Sequence, residues 1–223
     1  MELWEAMERR HTVRRYTEQR LPAEIVQRLE ARIQANNRTH GLSMKLVTEN
    51  SEAFQPVLRL ILARGVRNYV VLAAEAGPDS EMRLGYGGAD VMLYAQTLGL
   101  NTWWVGGTFS RKGARRGAET AAHETVSGVL VVGYGAVQGK PHRSKSPEEI
   151  SSYSGPAPAW FARGVKAVLL APTALNRQAF IIRGESGRVS MRCENGAFSG
   201  IDLGIGRYYF EAGAGKEHFD WAP

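Results

Sequence analysis

The sequence predicts an α+β fold of two similar halves, and three observations carry that reading. Stretches of helical period and of strand period both occur along the chain. Two helices, at 87–98 and 202–212, are apolar almost all round, as suits elements in the middle of a fold. Each is followed by glycine and then tryptophan (Gly99 before Trp103 and Trp104; Gly213 and Gly215 before Trp221), an echo that agrees with a duplicated architecture. The Ser/Gly/Pro-rich stretch 151–158 reads as a linker, so the expected division is 1–150 and 151–223.

In chain order, 2–10 form a short helix with Leu3, Trp4 and Met7 on one face. Pro22 opens a second helix well, because proline tolerates the first turn; Ile25, Val26, Leu29 and Ile33 make its apolar stripe, and Asn36, Asn37 and Gly41 end it. Residues 43–48 alternate as a strand. Helical spacing returns over 52–62 through Phe54, Val57, Leu58, Ile61 and Leu62, and 68–74 is a strand. After the helix at 87–98, closed by Gly99, strands are expected at 101–106 and 126–132. Residues 139–147 are a basic connector. A helix begins near Ala159 with Phe161, Val165, Val168 and Leu169 on one face, although a buried strand also suits that apolar run. Strands at 179–182 and 189–193 flank Gly184-Glu185-Ser186-Gly187, a hairpin signal.

The chain has 223 residues, 43% hydrophobic and 22% charged, enough for one domain or two packed halves. Its apolar stretches, 126–137 and 165–171, are interrupted or too short to span a bilayer, so no membrane is expected as a partner. Met1-Glu2-Leu3-Trp4-Glu5 does not read as a secretory signal, and the single Cys193 permits neither an intramolecular disulfide nor a multi-cysteine metal site. A cytoplasmic location is therefore the expectation. The net charge of +6 and pI of about 9.6 suit nucleic acid, an anionic surface or phosphorylated small molecules. No zinc-finger, RNA-binding or arginine/aromatic pattern accompanies the charge, so nucleic acid is not expected. The histidines lack metal-ligand spacing, there is no Gly-x-Ser-x-Gly elbow, and Cys193 suits a small core residue better than a nucleophile. Gly85-Tyr86-Gly87-Gly88 follows no strand and does not complete a dinucleotide fingerprint.

Three motifs carry chemistry. In Arg9-Arg10-His11-Thr12-Val13-Arg14-Arg15-Tyr16, an extended backbone turns Arg10, Thr12 and Arg14 to one side, where two guanidinium forks and a hydroxyl suit a phosphate. Alone, the run also suits a basic helix end. In Leu98-Gly99-Leu100-Asn101-Thr102-Trp103-Trp104-Val105-Gly106-Gly107, the final glycines let backbone approach a flat ring with no Cβ between, and Trp104 suits covering the ring or supporting the loop. The other reading is a buried strand with core tryptophans, which is favoured for Trp103. In Ala171-Pro172-Thr173-Ala174-Leu175-Asn176-Arg177-Gln178, Pro172 fixes a turn and two amides offer donors and acceptors; alone it is an ordinary turn.

Together these motifs resemble the signatures of the FMN-dependent nitroreductase family, over nearly the whole chain. Arg10, Thr12 and Arg14 match the family's Arg-Arg-Ser-x-Arg start, with threonine keeping the hydroxyl and Tyr16 closing the pattern. Residues 98–107 are similar to its Leu-Gly-Leu-x-Thr-x-Trp-x-Gly segment, and 171–178 to its Ala-Pro-Ser-x-x-Asn-x-Gln loop. The resemblance implies a nitroreductase-like fold holding FMN. The phosphate would lie on Arg10, His11, Thr12 and Arg14, completed by Arg143 and Lys145 unless those are free connector charge. The ring would lie against Trp104, Val105, Gly106 and Gly107, and its polar edge and ribityl chain on Pro172, Thr173, Asn176 and Gln178. Arg64 and Arg67 precede a strand where relatives place a flavin-contacting base, unless they too are free charge. Asp202 reads first as a helix cap and only second as a functional residue.

In ordinary members of the family the first and third motifs stand close together, and the loop reaches the flavin of the partner subunit. Here 35–41 lacks the loop and the second half lacks the arginine motif. The inventory therefore implies one composite FMN per chain, in a monomer imitating the family dimer. The implied activity is ping-pong electron transfer from NADH or NADPH through FMN to a small-molecule acceptor such as a nitroaromatic or quinone. No side chain is required as acid or base. A flavin-binding protein without turnover is the alternative.

Overall fold

Two four-stranded sheets organise the computed structural model, which describes residues 1–55, 61 and 63–222. Helices α1 (Leu3–Arg9) and α2 (Ala23–His40) lead into the first sheet. Its strands are β1 (Lys45–Val47), β2 (Tyr69–Glu75), β3 (Asn101–Val105) and β4 (Glu124–Gly133), in the order β1-β2-β4-β3 and antiparallel throughout. Between them run α3 (Ser80–Thr97) and the short α4 (Arg111–Gly117). The expected helix over 52–62 lies largely outside the described residues.

β2 and β4 are buried on both faces, so they read as unbroken apolar runs rather than alternating ones. Val70, Leu72, Leu130 and Val132 join the core shared with α3, while Tyr69, Val71, Val129 and Val131 join a second core that includes Phe54 and Ala114.

The second sheet starts inside the stretch expected to be linker. After α5 (Pro147–Ile150), Ser151–Tyr153 form β5, which pairs parallel with β6 (Phe180–Glu185). The expectation of a linker over 151–158 is thus corrected at its start. Three residues without alternation carry no strand signal, and their partner lies some thirty positions downstream. β6 turns back into β7 (Arg188–Cys193) through Ser186 and Gly187, both with positive φ (46° and 77°), as the tightest hairpin turn requires. β8 (Asp220–Trp221), which sequence periodicity did not suggest, pairs parallel with β7.

α6 (Ala159–Leu170) and α7 (Ser199–Ala214) pack on each other, and α7 covers β7. α3 covers the first sheet and runs along α7, so the two central helices join the two sheets. They approach so closely because glycines meet backbone: a Cβ on Gly85 would collide with the Ile201 carbonyl, and one on Gly204 with that of Met82. α3 consequently begins seven residues before the expected position 87. Glycine disfavours a free helix by about 1 kcal/mol per residue, but here tertiary contact overrides that preference.

A buried carboxylate strengthens the same junction. Asp90 of α3 is gripped by Arg32 of α2 (Nε–Oδ2 2.6 Å), by the Asn36 amide and by the Tyr208 hydroxyl of α7 (2.6 Å). Asn36 therefore belongs to the buried face of α2 and does not end it. The helix continues to His40 and closes at Gly41, while the Asn37 amide bonds both main-chain groups of Met44. No helix among the described residues is long and apolar enough to cross a membrane.

Candidate functional site

The arginine motif is positioned by its backbone. Beyond α1 the chain is extended, and Val13 N–H donates to the Thr102 carbonyl of β3 (3.1 Å). Thr17 N–H donates to Tyr134 O (2.8 Å) and Ala136 N–H to Arg15 O (2.9 Å), so 12–17 lie stitched between β3 and the chain leaving β4. Val13 and Tyr16 are buried anchors. Arg10, Thr12 and Arg14 all reach the wall of a cavity of about 780 Å³.

That cavity lies where the two sheets' elements meet. One wall comes from the arginine motif and from Trp103 to Thr108, at and beyond the end of β3. The opposite wall comes from Pro172 to Asn176 and from Phe198, Ile201, Asp202 and Ile205 at the start of α7. Gly106 faces the Phe198 ring, and a Cβ there would lie 2.7 Å from it. Lys140 and His142 of the connector close the basic end.

Arg10 is 3% exposed and its Nε has no hydrogen-bond partner. No carboxylate forms a salt bridge with it among the described residues. Burial, then Arg10, then His142 hold His11 below the ordinary imidazole value, so it is neutral at pH 7. Arg14 lies over the Trp103 ring at 5.6 Å, and Trp103 stacks on Phe54.

The second wall depends on side chains. Leu175 (φ 53°), Asn176 (55°) and Gln178 (44°) all adopt the left-handed conformation, and such strain persists only where surrounding contacts impose it. Those contacts are specific. Gln178 N–H donates to Thr173 Oγ1 (3.0 Å), the Asn176 amide to Arg143 O (2.8 Å) and the Gln178 amide to Leu169 O (3.0 Å). Both Asp202 carboxylate oxygens accept from Ala174 N–H (3.1 Å each). Burial pushes the Asp202 carboxyl up to about 6, against the pull of the Ala174 N–H and of Arg177. Burial likewise raises the Cys193 thiol to about 11, which leaves it neutral and unreactive.

The profile of the family described as "Putative TM nitroreductase" matches residues 2–214. The chain belongs to that family. No curated protein matches it. Among solved structures, a "putative nitroreductase" from Thermotoga maritima shares 22% identity over 97% of this chain and 85% of its own, with a TM-score of 0.71. A "putative nitroreductase in complex with fmn" from Desulfovibrio desulfuricans shares 15% identity over 67% of this chain and 95% of its own, with a TM-score of 0.52. A "Putative NADH dehydrogenase/NAD(P)H nitroreductase" from Parabacteroides distasonis shares 17% identity over 66% and 95%, with a TM-score of 0.53. At these identities the likeness is one of fold, an α+β nitroreductase fold.

Within this family member, the structure brings most of the expected site residues together. Arg10, His11, Thr12, Arg14, Trp104, Val105, Gly106, Gly107, Pro172, Thr173 and Asn176 all line the cavity. Three do not. Gln178 is 1% exposed, and its side-chain Oε1 accepts from Lys145 N–H (2.8 Å), so it splices the connector to the loop and is not on the wall. Lys145 Nζ donates to Gln178 O (3.1 Å), and Arg143 contributes its main-chain carbonyl to Asn176. Lys140 and His142 occupy the connector's cavity-facing positions instead. Arg64 and Arg67 also lie off the wall, with Arg67 paired to Glu49 (2.6 Å).

Asp202 is not the cap of its own helix, which starts at Ser199; it bonds the Ala174 loop instead. Sequence reasoning also missed Phe198, Ile201 and Ile205. The 201/205 spacing marks one face of α7, but nothing local says that this face meets a cavity.

Proposed function

We propose that this protein is an FMN-dependent oxidoreductase that passes electrons from NADH or NADPH to a small-molecule acceptor such as a nitroaromatic or a quinone. The observation that carries the reading is Arg10, a buried guanidinium on a cavity wall that makes no salt bridge among the described residues. A buried charge is costly without a partner, and a phosphate is the partner that Arg10, Thr12, Arg14 and Lys140 suit together. The cavity, at about 780 Å³, falls within the range of about 300–1,000 Å³ found for cofactor sites. Family membership points the same way.

The bound flavin would supply hydride chemistry, alternating between donor and acceptor in one pocket. The chain's own residues bind and orient. Arg10, His11, Thr12 and Arg14 would hold the phosphate. The backbone at Gly106 and Gly107 would lie against the ring, beside Trp104 and Val105. Pro172, Thr173 and Asn176 would face its polar edge. Because the two walls come from different halves, we read the chain as a pseudo-dimer, divided near residue 150, with one composite site and no need of a second subunit.

The test is FMN titration. The protein should bind one FMN per chain, and NADH or NADPH should bleach its spectrum. Arg10→Ala should weaken FMN binding about tenfold to a hundredfold, because a charge-assisted hydrogen bond contributes about 1.5–3 kcal/mol. Unchanged affinity would place the phosphate elsewhere. Bound flavin that neither nicotinamide reduces would identify a binding protein without turnover.

A further inference from the structure

Asp202 stands apart from every other group on the cavity wall. It is the one carboxylate among the described lining residues, and it is only 6% exposed. Its oxygens share a single neutral donor, the Ala174 N–H, and none of the salt bridges among the described residues involves it. The charged and titratable groups around it are few. Arg177 of the loop and Cys193 of β7 lie within electrostatic range, with Glu194 next to Cys193, and Glu81 of α3 lies beside Gly200, which shares α7 with Asp202. Across the cavity stand Arg10, His11, Arg14, Lys140 and His142.

We propose that Asp202 is the proton-holding residue of the site: its carboxyl group takes up a proton when a flavin ring fills the cavity and delivers it to the acceptor. The assignment rests on the function proposed above and adds an acid to it. A protonated carboxyl keeps the Ala174 contact through one oxygen and presents O–H to the cavity from the other, so the loop stays in place in both charge states. Burial already favours the neutral form, and a ring that displaces water from the wall acts in the same direction.

For a quinone acceptor with a nicotinamide dinucleotide as reductant, a hydride equivalent arrives at one carbonyl group by way of the cofactor. The Asp202 O–H bond breaks, its proton forms the O–H bond on the other quinone oxygen, and the electron pair stays on the carboxylate. The quinone is thereby reduced to the hydroquinone, the nicotinamide is oxidised, and solvent returns the proton to Asp202.

Riboflavin is the probe, since it lacks the phosphate, which itself titrates near pH 6. Its dissociation constant should rise about tenfold between about pH 6 and about pH 8, because binding takes up a proton that becomes scarcer over that window. Calorimetry in buffers of different ionisation heat should show proton uptake on binding. Asp202→Asn, which keeps an oxygen for Ala174, should bind riboflavin with an affinity that does not change over the same range. A flat profile in the wild-type protein, or an equal slope in Asp202→Asn, overturns the assignment. If FMN binds and is reduced while the riboflavin profile is flat, only the role of Asp202 falls. If neither flavin binds at any pH, the proposed function falls with it. The calorimetric measurement on the wild-type protein decides the matter even if the variant does not fold.

Discussion

The wall formed by 10–14 and 103–108 is held by main chain, whereas the wall formed by 172–176 and 198–205 is held by side chains. On the first, Val13 and Thr17 donate from their backbones to Thr102 and Tyr134, while Arg10, Thr12 and Arg14 line the cavity. On the second, the amides of Gln178 and Asn176 and the carboxylate of Asp202 are engaged in holding the loop. Where the backbone has already secured the segment, its polar side chains are not needed to hold it; where it has not, polar side chains take part in holding the loop.

The sharpest way to break that comparison is to remove a side chain that braces the second wall from behind and one that lines the first. Gln178→Leu should destabilise the protein by about 2–4 kcal/mol, because the Lys145 N–H loses its acceptor and Leu169 O and His142 each lose one of their partners. Thr12→Val, on the backbone-held wall, should cost less than about 1 kcal/mol. Urea unfolding of both variants measures the difference, and equal costs would mean that the two walls are secured alike.

Asp202 should produce the next largest effect, with a definite pH dependence. Its folded-state value of about 6 lies above the ordinary 3.8, so the folded protein binds this proton more tightly than the unfolded chain does. The ionised form therefore costs stability, a cost absent below about pH 4 and complete above about pH 6. Asp202→Asn should be more stable than the wild type by about 1–3 kcal/mol at neutral pH, with the gain vanishing near pH 4. A gain that persists at low pH would point to packing, not charge.

The smallest effect belongs to Leu175, 94% exposed and left-handed at φ 53°. Leu175→Gly relieves backbone strain but adds disorder to the unfolded chain, for a net gain of about 0.5 kcal/mol. Thermal unfolding would detect it, and a loss would show that the Leu175 side chain contributes to holding this wall.

Legibility in the sequence followed the same division. Arg10, Thr12 and Arg14 were readable because their alternation already matches the extended backbone they adopt. Gln178 belonged to the same recognisable loop as Asn176, yet it faces away from the cavity. No local pattern shows that its amide meets Lys145 and Leu169. The resemblance points to Arg143 and Lys145, yet Lys140 and His142 line the cavity, because the course of an irregular connector does not show in its sequence. The strands β5 and β8 are short and paired in parallel with distant partners, so their signal lies in those partners.

By itself the sequence determined the mixed helical and strand character, the apolar faces of α2 and α6, the hairpin turn at Ser186-Gly187 and the basic, phosphate-suited segment at the N-terminus. These depend on periodicity, on positive-φ glycine and on charge, all of which act over a few residues. Only the tertiary structure decided that glycines at 85 and 204 would bring α3 against α7, that Gln178 would serve as a splice, and that a carboxylate at 202 would face the cavity. Those outcomes come from close packing between segments far apart in the chain, where the energy of a contact depends on both partners and on the water excluded between them.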